Sequence, residues 1–199
     1  MNERPSDVRI VVNIAGTFSL ADRRDARGER RVFACRVVGL SPSTVAFATT
    51  IDARLGERVI AQIDQLGRVD GRVIRRLGRG FVMSLSTTEE ERQRLAEKIQ
   101  WIENRKNHDV SERRGDGRMV PSNPYSRMIL ADGSMESCLV LDISVSGAAV
   151  SANTVPSIGT VLAIGTVVGR VVRHFEGGFS VQFIERLDRD LAEKSVIPE

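Results

Sequence analysis

The chain has 199 residues, 41% hydrophobic and 28% charged, which is the balance of a globular protein with room for one large domain or two small ones and excludes a disordered or fibrous class. No apolar run reaches membrane-spanning length and Met1 to Ser6 lack the apolar core of a signal peptide, so the expected setting is cytoplasmic without membrane insertion. The net charge of +3 is modest and arginines far outnumber lysines, which favours phosphate or base-edge recognition over general adhesion to nucleic acid, and a single Trp and Tyr leave no stacking platform.

In chain order, short Val/Ile/Leu-rich runs between Gly, Pro, Ser or Asp clusters predict strands at 9–15, 32–40, 45–49, 58–63, 71–76 and 81–85. Between the first two lies Asp22-Arg23-Arg24-Asp25-Ala26-Arg27-Gly28-Glu29-Arg30-Arg31, a hairpin tip bearing five arginines: Arg23, Arg24, Arg27, Arg30 and Arg31. It is either a partner surface or a solvated hairpin whose three acids offset part of the charge. Arg72, Arg75, Arg76 and Arg79 carry the same ambiguity, since alternate strand positions face water. Thr87 to Asn107 predicts one amphipathic helix, with Thr87 or Thr88 opening a capping box and Leu95, Ile99 and Ile102 forming a narrow stripe. That stripe is expected to pack on the strands before it, with Trp101 beside it and Glu90 and Arg94 paired across one turn; a dimer helix is the alternative.

A polar linker over 104–109 leads into Glu112-Arg113-Arg114-Gly115-Asp116-Gly117-Arg118. Six further strands follow at 125–130, 137–143, 148–151, 161–164, 170–174 and 179–184, then a short helix at 186–194. The second set repeats the first. Gly71-Arg72-Val73-Ile74-Arg75-Arg76-Leu77 matches Gly169-Arg170-Val171-Val172-Arg173-His174-Phe175, and Gly39-Leu40-Ser41 matches Asp142-Ile143-Ser144. Cys35 and Cys138 fall at matching places, each six residues before a serine, and read as a buried strand thiol in each copy rather than a disulfide or catalytic pair. The expected organisation is 1–86, a first barrel; 87–110, helix and linker; and 111–199, a second barrel with a terminal helix. The strand pattern in each copy is that of an antiparallel sandwich or barrel, and closure into a small barrel removes the edges that so many short strands would leave; the expected fold class is all-β with accessory helices, two small six-stranded antiparallel barrels in tandem.

The chemistry concentrates in the second copy. Arg114 and Arg118 offer planar forks for phosphate oxygens or the O6/N7 edge of guanine. Asp142 repels phosphate but can accept from the N1 and N2 donors of guanine, Ser144 can donate and accept, and Gly115, Gly117 and Gly147 allow close approach of backbone. Arg-x-x-x-Arg followed by Asp-x-Ser-x-x-Gly (Asp142, Ser144, Gly147), with matching strands after it, resembles the two-part motif of PilZ domains, bacterial receptors for cyclic di-GMP.

The resemblance implies a six-stranded barrel and a cyclic di-GMP site made of Arg113, Arg114, Arg118, Asp142, Ser144 and Gly147, with the arginine loop clamping phosphates and guanines and Asp142 and Ser144 meeting a guanine from the barrel face. Arg113 beside the motif implies a self-stacked ligand pair. Aligned with the second copy, the first has Gly39 for Asp142 and Thr44 for Gly147, keeps Ser41, and offers Arg4 and Arg9 at the loop position with four residues between them rather than three; it resembles a degenerate unit that does not bind alone. The expected mechanism is a population shift in which the ligand orders the loop and reorients the two domains about residues 104–118. A downstream protein in motility, exopolysaccharide production or another bacterial output would read the change.

Little suggests an enzyme. His108 and His174 have no partner at ligand spacing, the cysteines lack zinc spacing, and no P-loop or dinucleotide fingerprint occurs, so no catalytic residue, metal or cofactor is expected. Two alternatives stand beside the receptor: a two-barrel module engaging protein or nucleic acid through the hairpin 22–31 without a ligand, and a subunit whose site forms only in a homodimer.

Overall fold

A computed structural model describes residues 9–106 and 117–198. It divides into two compact units, Met1–Ser111 and Glu112–Glu199. The first is built from β1 (Ile10–Leu20), β2 (Phe33–Leu40), β3 (Thr44–Ala48), β4 (Arg58–Ile63), β5 (Gly67–Leu77) and β6 (Gly80–Leu85), followed by α1 (Glu89–Lys106). The second repeats the plan with β7 (Tyr125–Leu130), β8 (Met135–Ser144), β9 (Gly147–Ala152), β10 (Val161–Ile164), β11 (Val167–Phe175), β12 (Gly178–Phe183) and α2 (Arg189–Val196).

Both units are closed antiparallel barrels, ordered β1-β2-β3-β6-β5-β4 and β7-β8-β9-β12-β11-β10. The correspondence extends to irregularities in register. A shift between Val37 and Gly39 on β2 has its counterpart between Val140 and Asp142 on β8. Another between Val73 and Arg75 on β5 recurs between Val171 and Arg173 on β11. Bulges re-aim the side chains beside them, and here they lie next to Asp142 and Arg173.

Alternation decides what each barrel encloses. Along β4, Val59, Ala61 and Ile63 point inward between exposed Arg58 and Gln62. Phe18, Phe33, Phe47 and Phe81 meet at the centre of the first barrel with ring centroids 5.2–5.9 Å apart. The second core uses Met128, Ile143, Val150, Ile164 and Phe179 instead. The cysteines are buried and free at matching places, Cys35 opposite Gly16 and Cys138 opposite Ser126.

Each barrel is plugged by the helix that follows it. Ile99 and Ile102 of α1 enter the first core with Leu95 against it, as the stripe predicts. The capping box forms at Thr88: Glu91 N donates to Thr88 Oγ1 at 3.2 Å and Thr88 N donates to Glu91 Oε2 at 2.9 Å. The ion pair in the first turn is Glu89–Arg92, at 3.5 Å, rather than the expected Glu90–Arg94. Ala192 and Val196 of α2, with Ile197, enter the second core, and Ser126 donates its hydroxyl to the Val196 carbonyl. This helix starts later than the sequence pattern suggests, because Asp188 accepts from Asp190 N and serves as its N-cap. No described helix is long and apolar enough to cross a membrane.

Candidate ligand-binding site

The two halves of the motif are joined by one short ladder. Met119 bridges Ile143 with both backbone hydrogen bonds, 2.7 and 2.8 Å, which fixes the chain just after Arg118 against β8. Arg118 is thereby set beside Asp142, and its Nη1 lies 3.2 Å from Asp142 Oδ1. Both are partly open, at 53% and 27% side-chain exposure, so the pair holds the two groups in position while leaving polar atoms for a ligand. Arg113 and Arg114 lie outside the described residues.

Across the barrel wall the register lines up two outward-facing rungs. One runs Asp142, Ala149, Ser180, Arg173 over β8, β9, β12 and β11; the next runs Ser144, Gly147, Gln182, Arg170. Between them the inward rung Ile143, Ala148, Val181, Val171 is buried. The central strand of each outward rung carries only Ala149 or Gly147, so polar side chains stand on either side of a low floor. A pocket of about 280 Å³ opens here, lined among others by Arg118, Asp142, Ser144, Gly147, Arg173 and Gln182.

Ser144 closes the β8–β9 turn, donating to the Gly147 carbonyl at 3.2 Å and accepting from Ser146 N at 3.3 Å. Gly147 serves packing: a Cβ built there would fall 2.4 Å from the Val181 carbonyl oxygen, so its lack of a side chain lets β12 approach β9. It also lines the pocket beside Ser144, where the sequence expects close approach of backbone to a ligand. Arg173, Ser180 and Gln182 line the same pocket but belong to neither half of the motif. The repeat alignment and strand alternation hold the signal that finds them, because they place Arg173 and Gln182 outward on strands that pair beyond β9.

The matching bridges make Ile10 the counterpart of Met119 and hence Arg9 the counterpart of Arg118. With Gly39 in place of Asp142, the Arg9 guanidinium lies over that position: a Cβ on Gly39 would be 2.6 Å from Arg9 Nε and Nη2. The first-barrel rungs read Gly39, Ala46, Val82, Arg75 and then Thr44, Ser84, Arg72, without the acid. Arg4 lies outside the described residues. A larger cleft of about 460 Å³ lies on the first unit between α1 and the β5 side, lined by Leu66, Leu95, Arg68 and Lys98 among others, and contains no residue of either motif half.

The five hairpin arginines divide by contact. Arg23 forms a two-pronged pair with Glu57, 2.6 and 2.8 Å, and Arg31 stacks over Phe33 at 4.7 Å. Arg24, Arg27 and Arg30 are exposed on a tip tied by Asp25, whose carboxylate accepts from Arg27 N and Glu29 N. Burial raises the Glu57 carboxyl, but hydrogen bonds from Arg23 and the Arg54 backbone, with both charges, bring it below the usual range. The Arg58 hydrogen bond, opposed by burial and aided by surrounding arginine charges, likewise holds Asp70 low. Burial pushes the Cys138 thiol up to about 12 and Cys35 higher still. His174 Nε2 lies 2.8 Å from the Pro156 carbonyl oxygen, a structural tie, and His108 is outside the described residues. No cluster of metal-ligating groups occurs among the described residues.

No family model matches the chain, and no curated protein matches it either. Among solved structures, the PlzA protein of Borreliella burgdorferi in complex with c-di-GMP is 10% identical, with a TM-score of 0.31 over 92% of this chain and 90% of that one. The inhibitor of motility MotI/DgrA of Bacillus subtilis is 12% identical, with a TM-score of 0.31 over 91% and 92%. The MrkH–c-di-GMP complex of K. pneumonia is 14% identical, with a TM-score of 0.28 over 91% and 84%; these are among the solved structures this chain is similar to.

Proposed function

We propose that the chain is a PilZ-type receptor for cyclic di-GMP that binds the dinucleotide on its second barrel through Arg113, Arg114, Arg118, Asp142, Ser144 and Gly147. The observation that carries this reading is the Arg118–Asp142 pair on the lining of a pocket that also holds Ser144 and Gly147. Two motif halves distant in sequence thus face one space of a size suited to part of a nucleotide, at the lower edge of the usual range for ligand pockets. Asp142 accepts from the N1 and N2 donors of a guanine, and Arg118 turns its remaining donors to phosphate or to the O6/N7 edge. The reading assigns no catalysis and no cofactor.

The output is a change of arrangement about residues 104–118, where α1 gives way in sequence to the arginine loop, and a downstream protein reads it. Titration calorimetry of the full chain with cyclic di-GMP tests the reading. Saturable heat is expected from the wild type and a loss of at least about tenfold in affinity for Asp142→Ala and Arg114→Ala. No heat from the wild type, or equal affinity in both variants, rejects it. Hydrogen exchange should slow at residues 113–118 on addition of ligand.

A second reading draws on Arg24, Arg27 and Arg30, which stand exposed on a hairpin whose backbone Asp25 braces. In it the first barrel engages an acidic protein or nucleic acid with no ligand. A steeply salt-dependent affinity for random DNA, abolished by removing these three arginines, is the result that would favour it.

A further inference from the structure

Arg173 belongs to neither motif half, yet it lines the same pocket as Arg118 and Asp142. Its Nε donates to Ser180 Oγ at 3.1 Å, across the rung that pairs the two residues. That bond fixes the plane of the guanidinium and, among the described residues, leaves Nη1 and Nη2 without a hydrogen bond. A guanidinium anchored by Nε presents its two Nη groups as a preformed fork, the geometry suited to a pair of acceptors on one planar edge. The register shift between Val171 and Arg173 sits where it re-aims this side chain.

The first barrel supplies an internal control. Its Arg75 occupies the corresponding place, but the rung partner is Val82, which cannot hold Nε, and Ser84 stands where the second barrel has Gln182. The anchored arginine therefore occurs in the barrel that also has the acid at position 142. Along the rung, Asp142 and Arg173 are three strands apart, about 14 Å from Cα to Cα at the usual strand spacing. At that distance they meet different parts of a ligand.

We infer that Arg173 is a further ligand-binding arginine, presenting its fork to the O6/N7 edge of the guanine that Asp142 does not hold, with Ser180 as its positioning residue. The inference rests on the cyclic di-GMP reading above and adds to it a contact from the barrel wall. Gln182 stands on the adjoining rung as an adaptable donor and acceptor.

The test is calorimetry of the full chain with cyclic di-GMP on wild type, Arg173→Ala, Arg173→Lys, Ser180→Ala and the Arg173→Ala/Ser180→Ala double variant, each checked for an unchanged melting curve. Arg173→Ala should weaken binding about ten- to hundredfold, the discrimination of one good two-pronged base contact. Arg173→Lys keeps the charge without the fork and should be nearly as weak. Ser180→Ala should cost a few-fold alone and nothing further in the Arg173→Ala background, which a merely structural serine would not do. Wild-type affinity in Arg173→Ala, full retention by Arg173→Lys, or an equal Ser180→Ala cost in both backgrounds overturns the inference. Loss in Asp142→Ala with no loss in Arg173→Ala overturns it alone. Absence of binding by the wild type overturns the receptor reading and this one together.

Discussion

Asp142 pairs with Arg118 and, in the proposed receptor, also meets a guanine, and the two roles separate experimentally. Its pair with Arg118 is partly solvated at 53% and 27% exposure, so Asp142→Ala should lower stability by less than about 1 kcal/mol while removing the guanine-edge acceptor and most of the ligand affinity. A thermal melt set beside a titration distinguishes the effects. Gly147→Ala should cost stability directly: its methyl would meet the Val181 carbonyl at 2.4 Å, so a loss of roughly 1–3 kcal/mol is expected, read as a lower urea midpoint without ligand. The cysteines should ignore thiol reagents at neutral pH until the chain unfolds, because burial keeps Cys138 protonated up to about 12 and Cys35 beyond. At this scale the sequence was legible where residue type is chemically unusual for its setting, as with an acid inside an apolar run. Arg173 was not, because an arginine at an alternate strand position looks like any solvated side chain until the register puts Ser180 opposite it.

Elements were legible to the extent that one periodicity governs them. Strand β4 at Arg58–Ile63, β7 at Tyr125–Leu130 and β10 at Val161–Ile164 fall where alternation predicts. Strands β1, β5 and β11 extend further, because their ends pair with neighbours the sequence cannot identify: the end of β1 to Leu20 is held by β4, and the start of β5 at Gly67 by Ile63. Helix α1 was readable from both stripe and capping box, and Thr88→Ala should destabilise the first unit by about 1 kcal/mol, measured by urea unfolding. The ion pairs on the first barrel give it an acid limb. Glu57 and Asp70 titrate below their ordinary values of 4.5 and 3.8, so their contribution is complete above those values and is lost as pH falls through the lowered ones. Replacing Glu57 with Gln should therefore destabilise the first unit at pH 7, and the difference from wild type should shrink toward pH 3 in urea melts.

The whole molecule is one plan used twice, down to matching bulges and a plugging helix for each barrel. Duplication was visible in the sequence because glycine and β-branched positions recur. That the first copy is filled was not, because the Arg9 guanidinium over Gly39 is a matter of three-dimensional placement. The fragment 112–199 has its own core and should bind cyclic di-GMP with near full-length affinity, and 1–111 should give no heat. Closure of both sheets also limits how this protein can associate. Every described strand has a partner on each side over at least part of its length, which leaves little backbone open to an added strand. Another protein or a second copy would then meet mainly side chains on a barrel wall, a turn or a helix rather than a long sheet edge. The same closure limits edge-to-edge aggregation while the pocket lined by Arg118 and Asp142 stays open on the outside of the second barrel.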